Sequence, residues 1–344
     1  MNRYCLFVAV LLTAALGASA QGLPGKSAVL RLDPALDSLI SSSAKLELLK
    51  GDYFGFVEGP VWVSEGGSGH LLFSDLPANA VYKWTPKGEL SVAIPRSGFT
   101  GRDSSTAGAE LNNGRLTVIL LGSNGLTLDR QGRLLMCTHG DRALVRLDKD
   151  GTRTILADRY DGKRLNSPND VVVKSNGSIY FTDPPFGLRA VMNSPLKELP
   201  FQGVFLLKDG TVHLLDKDPQ GSFPNGIAFS PDEKYLYVTG GQRITRYEVQ
   251  PDDTVANGRV FVDMTADKSP GGTDGMKVDR KGNLYATGPG GVWIISPEGT
   301  LLGKILMQEA PANLAFGDAD GKSLYLTARR GLYRIRLNTP GIRP

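Results

Sequence analysis

One pattern recurs six times along this 344-residue chain. Each copy has a polar residue, a small residue, an alternating apolar run, a turn, a second run that ends in small or polar residues, and then a third run. The spacing between the starts varies from 39 to 66 residues, which brackets the roughly 40 to 50 residues of a propeller blade with insertions. The six starting residues are Glu58, Asn124, Asn169, Asn225, Asp274 and Asn313.

Turn-forming residue pairs separate the apolar runs inside these copies. Asn176-Gly177, Lys281-Gly282 and Asp320-Gly321 are examples, and such pairs favour the tight turns of β-hairpins. After the first 20 residues, helical periodicity occurs only weakly, over residues 36–45. We therefore predict an all-β chain whose six antiparallel meanders form a six-bladed β-propeller.

The sixth copy contains only three runs, the last over residues 332–337. We expect the run over residues 45–50 to supply the missing outermost strand of that blade and so to close the ring. The predicted organisation is an N-terminal segment over 21–57 that contains this strand, a catalytic propeller over 58–337 and a tail over 338–344.

The first 20 residues have the features of an export signal. Arg3 supplies a positive charge, residues 5–17 form an apolar stretch shorter than a membrane span, and Ala18-Ser19-Ala20 is a small-residue cleavage site. We expect cleavage before Gln21, a protein that is periplasmic or secreted, and no membrane association after cleavage.

Basic residues are dispersed among acidic ones, although the formal net charge is +4. Nucleic-acid and membrane partners usually require clustered lysines and arginines. The sequence therefore predicts a small-molecule ligand, and it implies no nucleic-acid or protein partner.

The six starting residues predict a metal site. The first strand of each propeller blade lines the central channel, so these side chains are expected to meet at one end of the axis. Two carboxylates and four amides offer oxygen ligands with two negative charges, which suits a divalent cation, calcium above all. The alternative is that the Asn-Gly and Asp-Gly pairs only form turns.

The second strand of each blade should end on the same face. This geometry places Asp75, Asp183, the Arg329-Arg330 pair and His139 there, and His139 is a candidate for proton transfer or a structural histidine. Long insertions over 96–123 and 183–202 also belong to this face. Phe186, Phe201 and Phe223 either line a pocket there or anchor the loops.

Several segments together resemble the SMP-30/gluconolactonase/LRE-like family, and specifically its exported bacterial gluconolactonase-like members. The resemblance extends from about residue 58 to 337. It rests on Glu58-Gly-Pro-Val-Trp62 and on residues 124–129, 139–142, 165–170, 181–187, 224–232 and 274–279.

The resemblance implies a six-bladed propeller that binds a divalent metal in its axial channel and hydrolyses lactones. It assigns metal ligation to Glu58, Asn169, Asn225 and Asp274. It also assigns to Asp274 the role of proton donor and acceptor. Asn124 and Asn313 are then expected beside the ligands or at the substrate.

These expectations combine into one predicted reaction, the hydrolysis of a sugar lactone of the glucono-δ-lactone type to its aldonic acid. Calcium, with zinc or manganese as alternatives, polarises the carbonyl. Asp274 is the acid and base, and His139 is the rival base. The residues expected to contact the substrate are Asn124, Arg142, Arg164, Phe186 and Asn313.

Two alternatives remain open at the level of the sequence. One is a propeller hydrolase that acts on a different ester or on a phosphotriester, and the other is a propeller that only binds its ligand. The paired acids Glu58 and Asp274 favour an enzyme. A serine hydrolase is disfavoured because no serine lies in a Gly-x-Ser-x-Gly segment.

Overall fold

The computed structural model describes residues 28–112 and 115–344, which form a six-bladed β-propeller. The predicted signal peptide, residues 1–20, lies outside the described residues. Before the first blade come β1 (Val29–Arg31), a 3-10 helix (Pro34–Ser38) and β2 (Glu47–Lys50). None of the described helices is long and apolar enough to cross a membrane.

Six four-stranded meanders follow one another around the ring, as the repeated pattern predicts. The first blade consists of β3 (Val57–Glu65), β4 (Ser68–Asp75), β5 (Ala80–Trp84) and β6 (Leu90–Pro95). A hairpin then intervenes, with β7 (Gly108–Asn112) and β8 (Arg115–Leu120). The second blade consists of β9 (Ser123–Leu128), β10 (Leu134–Thr138), β11 (Ala143–Leu147) and β12 (Arg153–Ala157).

A short hairpin leads to the third blade, and its strands β13 (Arg159–Tyr160) and β14 (Lys163–Arg164) have two residues each. That blade consists of β15 (Val171–Val173), β16 (Ile179–Asp183), β17 (Gly203–Lys208) and β18 (Thr211–Lys217), with 3-10 turns at Val191–Asn193 and Pro219–Gly221. The fourth blade consists of β19 (Ile227–Phe229), β20 (Tyr235–Gly240), β21 (Arg243–Val249) and β22 (Val255–Asp263).

The last two blades combine strands from the C-terminal part of the chain with the N-terminal strands β1 and β2. The fifth consists of β23 (Met276–Val278), β24 (Leu284–Gly288), β25 (Gly291–Ile295) and β26 (Leu301–Leu306). The sixth consists of β27 (Pro311–Gly317), β28 (Ser323–Ala328) and β29 (Gly331–Arg336).

The ring closes as predicted, because β2 pairs antiparallel with β29 as the outermost strand of the sixth blade. Arg334 strengthens this junction with a 2.7 Å ion pair to Glu47. The short strand β1 was not predicted, and it adds a fifth strand to the fifth blade by pairing with β26. The weakly periodic segment over 36–45 forms no α-helix and contributes only to the single 3-10 turn at Pro34–Ser38.

Aromatic side chains fill the space between neighbouring blades. Tyr180 on β16 packs edge to face against Phe229 on β19, at 4.9 Å between ring centroids. In the same way, Tyr285 on β24 packs against Phe316 on β27. Both tyrosines are fully buried. Tyr180 and Tyr285, which follow Ile179 and Leu284 in their second strands, therefore supply aromatic contacts that join one blade to the next.

The innermost strands β3, β9, β15, β19, β23 and β27 contact one another in ring order and surround the channel. Their C-terminal halves enclose an apolar cavity of about 140 Å³ at one end of that channel. Ile342 is among the residues that line this cavity, and its N–H donates to the carbonyl of Val278. The N-terminal ends of the same strands carry the predicted polar residues at the opposite end.

Candidate active site

Glycines bring the polar ends of neighbouring blades together. Gly226 donates its N–H to the carbonyl of Asp274, and Gly125 donates to that of Asn169, at 3.0 and 2.7 Å. A Cβ on Gly226 would lie 2.4 Å from the Asp274 carbonyl oxygen, and neither glycine has a positive φ. These glycines therefore permit a close approach between blades and do not form turns, which removes the turn interpretation for them.

Hydroxyl groups on second strands bind the backbone carbonyls of three of the predicted site residues. Ser74 donates to the carbonyl of Asn124 at 2.9 Å. Thr182 donates to that of Asn225 at 2.6 Å, and Thr239 donates to that of Asp274. Hydroxyl groups near the ends of the second strands of the first, third and fourth blades thus fix the backbone of a site residue in the next blade.

Three carboxylates influence one another at this end of the channel. Burial raises the pKa of Glu58 to about 7, the N–H of Gly59 opposes that shift, and the charge of Asp170 adds to it. Burial and then the charges of Glu58 and Asp170 raise the pKa of Asp274 well above its ordinary value. Close carboxylates of like charge favour either a proton or a cation among them.

The predicted ligands fit a divalent cation. The side-chain oxygen of Asn225 is buried and has no hydrogen-bond partner among the described residues, while the same amide interacts with the carboxylate of Asp274. The side chain of Asn169 makes no hydrogen bond to the residues that the structure describes. Within the described residues no three His, Cys, Asp or Glu side chains form a metal cluster, and the predicted set, with two carboxylates and two amides, does not require one.

Asp170 and Lys277 belong to this cluster although the sequence interpretation omitted them. Asp170 is buried, and the Lys277 ammonium lies 3.8 Å from its Oδ2 atom. A signal existed for Asp170, because Gly follows the polar residue in four of the six copies, whereas Asp170 stands in that position after Asn169. Lys277 lies between the apolar residues Met276 and Val278. The alternation along a strand therefore predicts that this lysine faces solvent.

Asn313 joins Glu58 to this lysine. Its side chain interacts with the Glu58 carboxylate, and its Oδ1 atom accepts hydrogen bonds from Leu314 N–H and, at 3.4 Å, from Lys277 Nζ. Asn313 is buried. The structure therefore places it beside the carboxylates, among the neighbours of the predicted ligands.

His139 is sealed from solvent next to Asn124. It is 1% exposed, and its Nε2 atom lies 3.3 Å from the amide nitrogen of Asn124. Burial lowers the pKa of His139 to about 3, so the ring is neutral at physiological pH.

The two predicted substrate arginines are bound to backbone carbonyls. Arg142 is buried and donates from Nε to the carbonyls of Leu165 and Asn166, while burial lowers its pKa. Arg164 is half-buried and donates from Nη2 to the carbonyl of Asp141 at 2.7 Å. These contacts organise the loops around the site, and substrate contact by either arginine stays a prediction.

Two of the three predicted pocket phenylalanines meet. Phe186 and Phe223 pack edge to face with 5.4 Å between their ring centroids, and both are half-buried. Phe201 packs instead against Tyr160 and Phe205 beside the core of the third blade. Only Phe186 and Phe223 are therefore available as a shared wall.

The second-strand carboxylates hold loops rather than ligands. Asp75 accepts the N–H groups of Gly55 and Phe56, and Asp183 accepts those of Asn166 and Ser167 at 2.7 and 2.8 Å. Burial raises the pKa of Asp183 to about 7. Each carboxylate organises the segment that leads into the first strand of its own blade.

The two long insertions are fastened to each other above the site. Gly108 donates its N–H to the carbonyl of Gly187 at 2.7 Å, and Ala107 forms a β-bridge with Leu188. The insertion over 96–123 contains the hairpin β7–β8. A small cavity beneath the two insertions is lined by His139, Arg142 and Gly187, among others.

Known proteins of this architecture resemble the chain closely. A gluconolactonase from Zymomonas mobilis subsp. mobilis is 34% identical, over 99% of this chain and 98% of its own length. The structure of a gluconolactonase from Xanthomonas campestris superposes with a TM-score of 0.73 at 32% identity, and the match covers 90% of this chain and 94% of the other.

A more distant structure shares the fold. Regucalcin, a calcium-binding protein from Agrobacterium tumefaciens strain C58, superposes with a TM-score of 0.66 at 18% identity, over 86% of this chain and 95% of its own. The family described as the SMP-30/gluconolactonase/LRE-like region matches residues 56–330. The predicted resemblance is confirmed, and the chain belongs to the SMP-30/gluconolactonase/LRE-like family of six-bladed propellers.

Proposed function

We propose that this protein is a divalent-cation-dependent lactonase that hydrolyses a sugar lactone of the glucono-δ-lactone type to the aldonic acid. The observation that carries the proposal is the convergence of Glu58, Asp274 and Asn225 at one end of the channel, where the Asn225 side-chain oxygen has no partner in the described part of the chain. The names of the relatives, gluconolactonase in both cases above 30% identity, support the substrate class.

Glu58, Asn169, Asn225 and Asp274 are the residues that would hold the cation. Calcium suits their oxygen-only chemistry best, with zinc or manganese as alternatives. When bound, the cation supplies Lewis-acid polarisation of the lactone carbonyl and offsets the negative charge that develops on its oxygen.

Asp274 is the proposed acid and base. Its backbone is fixed on both sides, because its N–H donates to Thr287 Oγ1 at 2.6 Å and its carbonyl accepts from Gly226 and Thr239. The residue is half-buried, and the charges of Glu58 and Asp170 act on its buried carboxylate. The carboxylate takes a proton from the attacking water and returns it to the ring oxygen when the C–O bond breaks.

Polar and aromatic groups near the carboxylates would orient the substrate. Asn124 and Asn313 supply buried amides, and Phe186 with Phe223 supplies an apolar wall for one face of a sugar ring. We still propose that Arg142 and Arg164 contact hydroxyl groups of the sugar, although their observed hydrogen bonds go to backbone carbonyls. A channel mouth of this kind binds a small polar ring and implies no macromolecular partner.

We also propose that the protein works outside the cytoplasm, either in the periplasm or after secretion. The support is the sequence of residues 1–20, with Arg3, the apolar stretch and the Ala18-Ser19-Ala20 site. N-terminal sequencing of protein recovered from a periplasmic extract and from culture medium tests this, with Gln21 expected as the first residue.

Hydrolysis of glucono-δ-lactone by the purified chain tests the activity. Proton release is recorded near pH 6.5 with spontaneous opening subtracted, first with chelator and then with Ca²⁺, Zn²⁺ or Mn²⁺ restored. Activity that disappears on chelation and returns with an ion supports the proposal. A folded protein that binds the ion but hydrolyses no lactone would favour another ester, a phosphotriester or a purely binding propeller.

A further inference from the structure

Lys277 places a positive charge directly under the carboxylates. It lies on the innermost strand β23, and its Nζ atom donates to the carbonyl of Met276 at 3.0 Å. It also donates to Asn313 Oδ1 at 3.4 Å and lies 3.8 Å from Asp170 Oδ2. The side chain is 24% exposed and lines the apolar cavity at the far end of the channel.

Asp170 holds this ammonium in place. Its carboxylate is anchored by the N–H of Val171 at 2.9 Å and by that of Ile227 at 3.4 Å, and its side chain is 2% exposed. Asn313 then connects Lys277 to Glu58. The ammonium is therefore tied to the carboxylate cluster by one ion pair and one amide.

The charges in this part of the channel balance in a simple way. Glu58, Asp170 and Asp274 carry three negative charges when ionised, and Lys277 removes one of them. The guanidinium of Arg329 also acts on Asp274, but Arg329 is exposed and solvent weakens its effect. Glu58, Asp170, Asp274 and Lys277 together thus carry two net negative charges when the carboxylates are ionised, equal and opposite to one divalent cation.

We propose that the Lys277–Asp170 pair is a charge-setting element that matches the carboxylate cluster to a divalent cation. This inference rests on the proposed function, since it assumes that a cation binds among Glu58, Asn169, Asn225 and Asp274. Lys277 contacts none of these four side chains directly, so it is a positioning residue. Its effect passes through space and through Asn313.

A charge cycle separates this role from ordinary packing. K277M removes the ammonium and keeps an unbranched side chain, D170N removes one carboxylate, and the double variant restores the original net charge. K277R keeps the charge in a different shape. K281M is the matched control. It removes the same charge as K277M, but Lys281 lies in an exposed turn of the same blade.

Calcium affinity is measured by titration calorimetry and terbium affinity by sensitised luminescence, on the full chain. We expect K277M to bind Ca²⁺ more tightly by about tenfold or more, with a larger gain for Tb³⁺, because charge–charge energy scales with the product of the charges. D170N should bind Ca²⁺ more weakly. The double variant, K277R and K281M should stay within about threefold of the wild type.

The melting temperature of the metal-free protein gives a second readout that does not depend on a bound ion. In chelator, K277M should melt below the wild type because the buried Asp170 carboxylate then loses its ion pair with Lys277, and the double variant, which removes both charges, should recover. Unchanged or weaker calcium binding by K277M, or an unchanged metal-free melting temperature, overturns the inference. Lactone hydrolysis is measured in parallel, so that a protein with the expected charge cycle but no hydrolysis contradicts only the proposed function.

Discussion

The hydroxyl group of Thr182 donates a 2.6 Å hydrogen bond to the backbone carbonyl of Asn225 in the next blade. The same oxygen accepts the N–H of Asp170 at 3.1 Å. One side chain at the end of β16 thus fixes a proposed ligand of the fourth blade and a carboxylate of the third. Ser74 and Thr239 repeat the contact elsewhere in the ring.

Replacing Thr182 with Val removes both hydrogen bonds while keeping the shape. We expect the free energy of unfolding to fall by about 2 kcal/mol, because the buried N–H of Asp170 loses its partner. Calcium affinity should fall as well, because the Asn225 backbone is no longer fixed. Urea unfolding and calorimetry check both effects, and T182S should behave like the wild type because it keeps the hydroxyl.

Gly226 tests the close approach between the fourth and fifth blades. A Cβ there would meet the Asp274 carbonyl oxygen at 2.4 Å and the Gly275 Cα at 2.7 Å, and both are backbone atoms that cannot swing away. G226A should destabilise the fold by about 2 kcal/mol. The control is G272A, where an added Cβ meets nothing within 4 Å. Equal stability of the two variants in urea would contradict the close-approach interpretation.

The repeated pattern was sufficient to predict the blade count, because each copy combines alternation with a polar start and a hairpin turn. The closing strand was predictable for a related reason, since the sixth copy lacked a fourth run. Strand β1 was not predictable, because Val29–Arg31 is too short to show a period. Its pairing with β26 is decided by tertiary contact.

The site was predictable in outline and incomplete in detail. Glu58, Asn225 and Asp274 meet because they occupy equivalent positions in a ring. Lys277 was missed because alternation cannot distinguish a side chain in the channel from one in solvent. Asp75 and Asp183 share the predicted face, but only the structure shows that their carboxylates bind backbone N–H groups.

Asp253 supplies a stability test that is independent of the site. Its side chain is 1% exposed and pairs with Lys208 at 2.7 Å and with Lys174. Burial alone would raise the pKa of Asp253, but hydrogen bonds from these lysines, Ser178 and Asn176 outweigh it and lower the pKa well below its usual range. The carboxylate is therefore more easily ionised in the folded state than in the unfolded chain.

Asp253→Asn should lower the free energy of unfolding by about 3 kcal/mol at pH 7, because it leaves two lysines without their buried partner. The depressed pKa stabilises the fold above the unfolded value near 4, and this contribution is lost as pH falls through the folded pKa. The gap between wild type and variant should therefore shrink by about 1 kcal/mol between pH 7 and pH 3. Denaturant unfolding at both pH values measures it, with the exposed turn variant D209N as control; a gap that widens toward pH 3 contradicts the assignment.

Asp274 and His139 are the two candidates for the base that takes the proton from water. His139 is sealed beside Asn124, and its lowered pKa keeps it neutral throughout the physiological range. Asp274 is half-buried and has its backbone held by Gly226, and the charges of Glu58 and Asp170 act on its carboxylate. We expect D274N to lose at least about 100-fold in kcat, and H139Q to stay within about tenfold of the wild type.

The pH–rate profile makes this comparison decisive. H139Q should keep the shape of the wild-type profile, because a histidine that does not titrate between pH 5 and pH 8 cannot shape it. Because Asp274 is also a proposed ligand, D274N is assayed at saturating calcium and its bound metal is measured. A D274N protein that binds the ion and turns over normally, beside an inactive H139Q, would transfer the proton-transfer role to His139 and leave Asp274 as a ligand only.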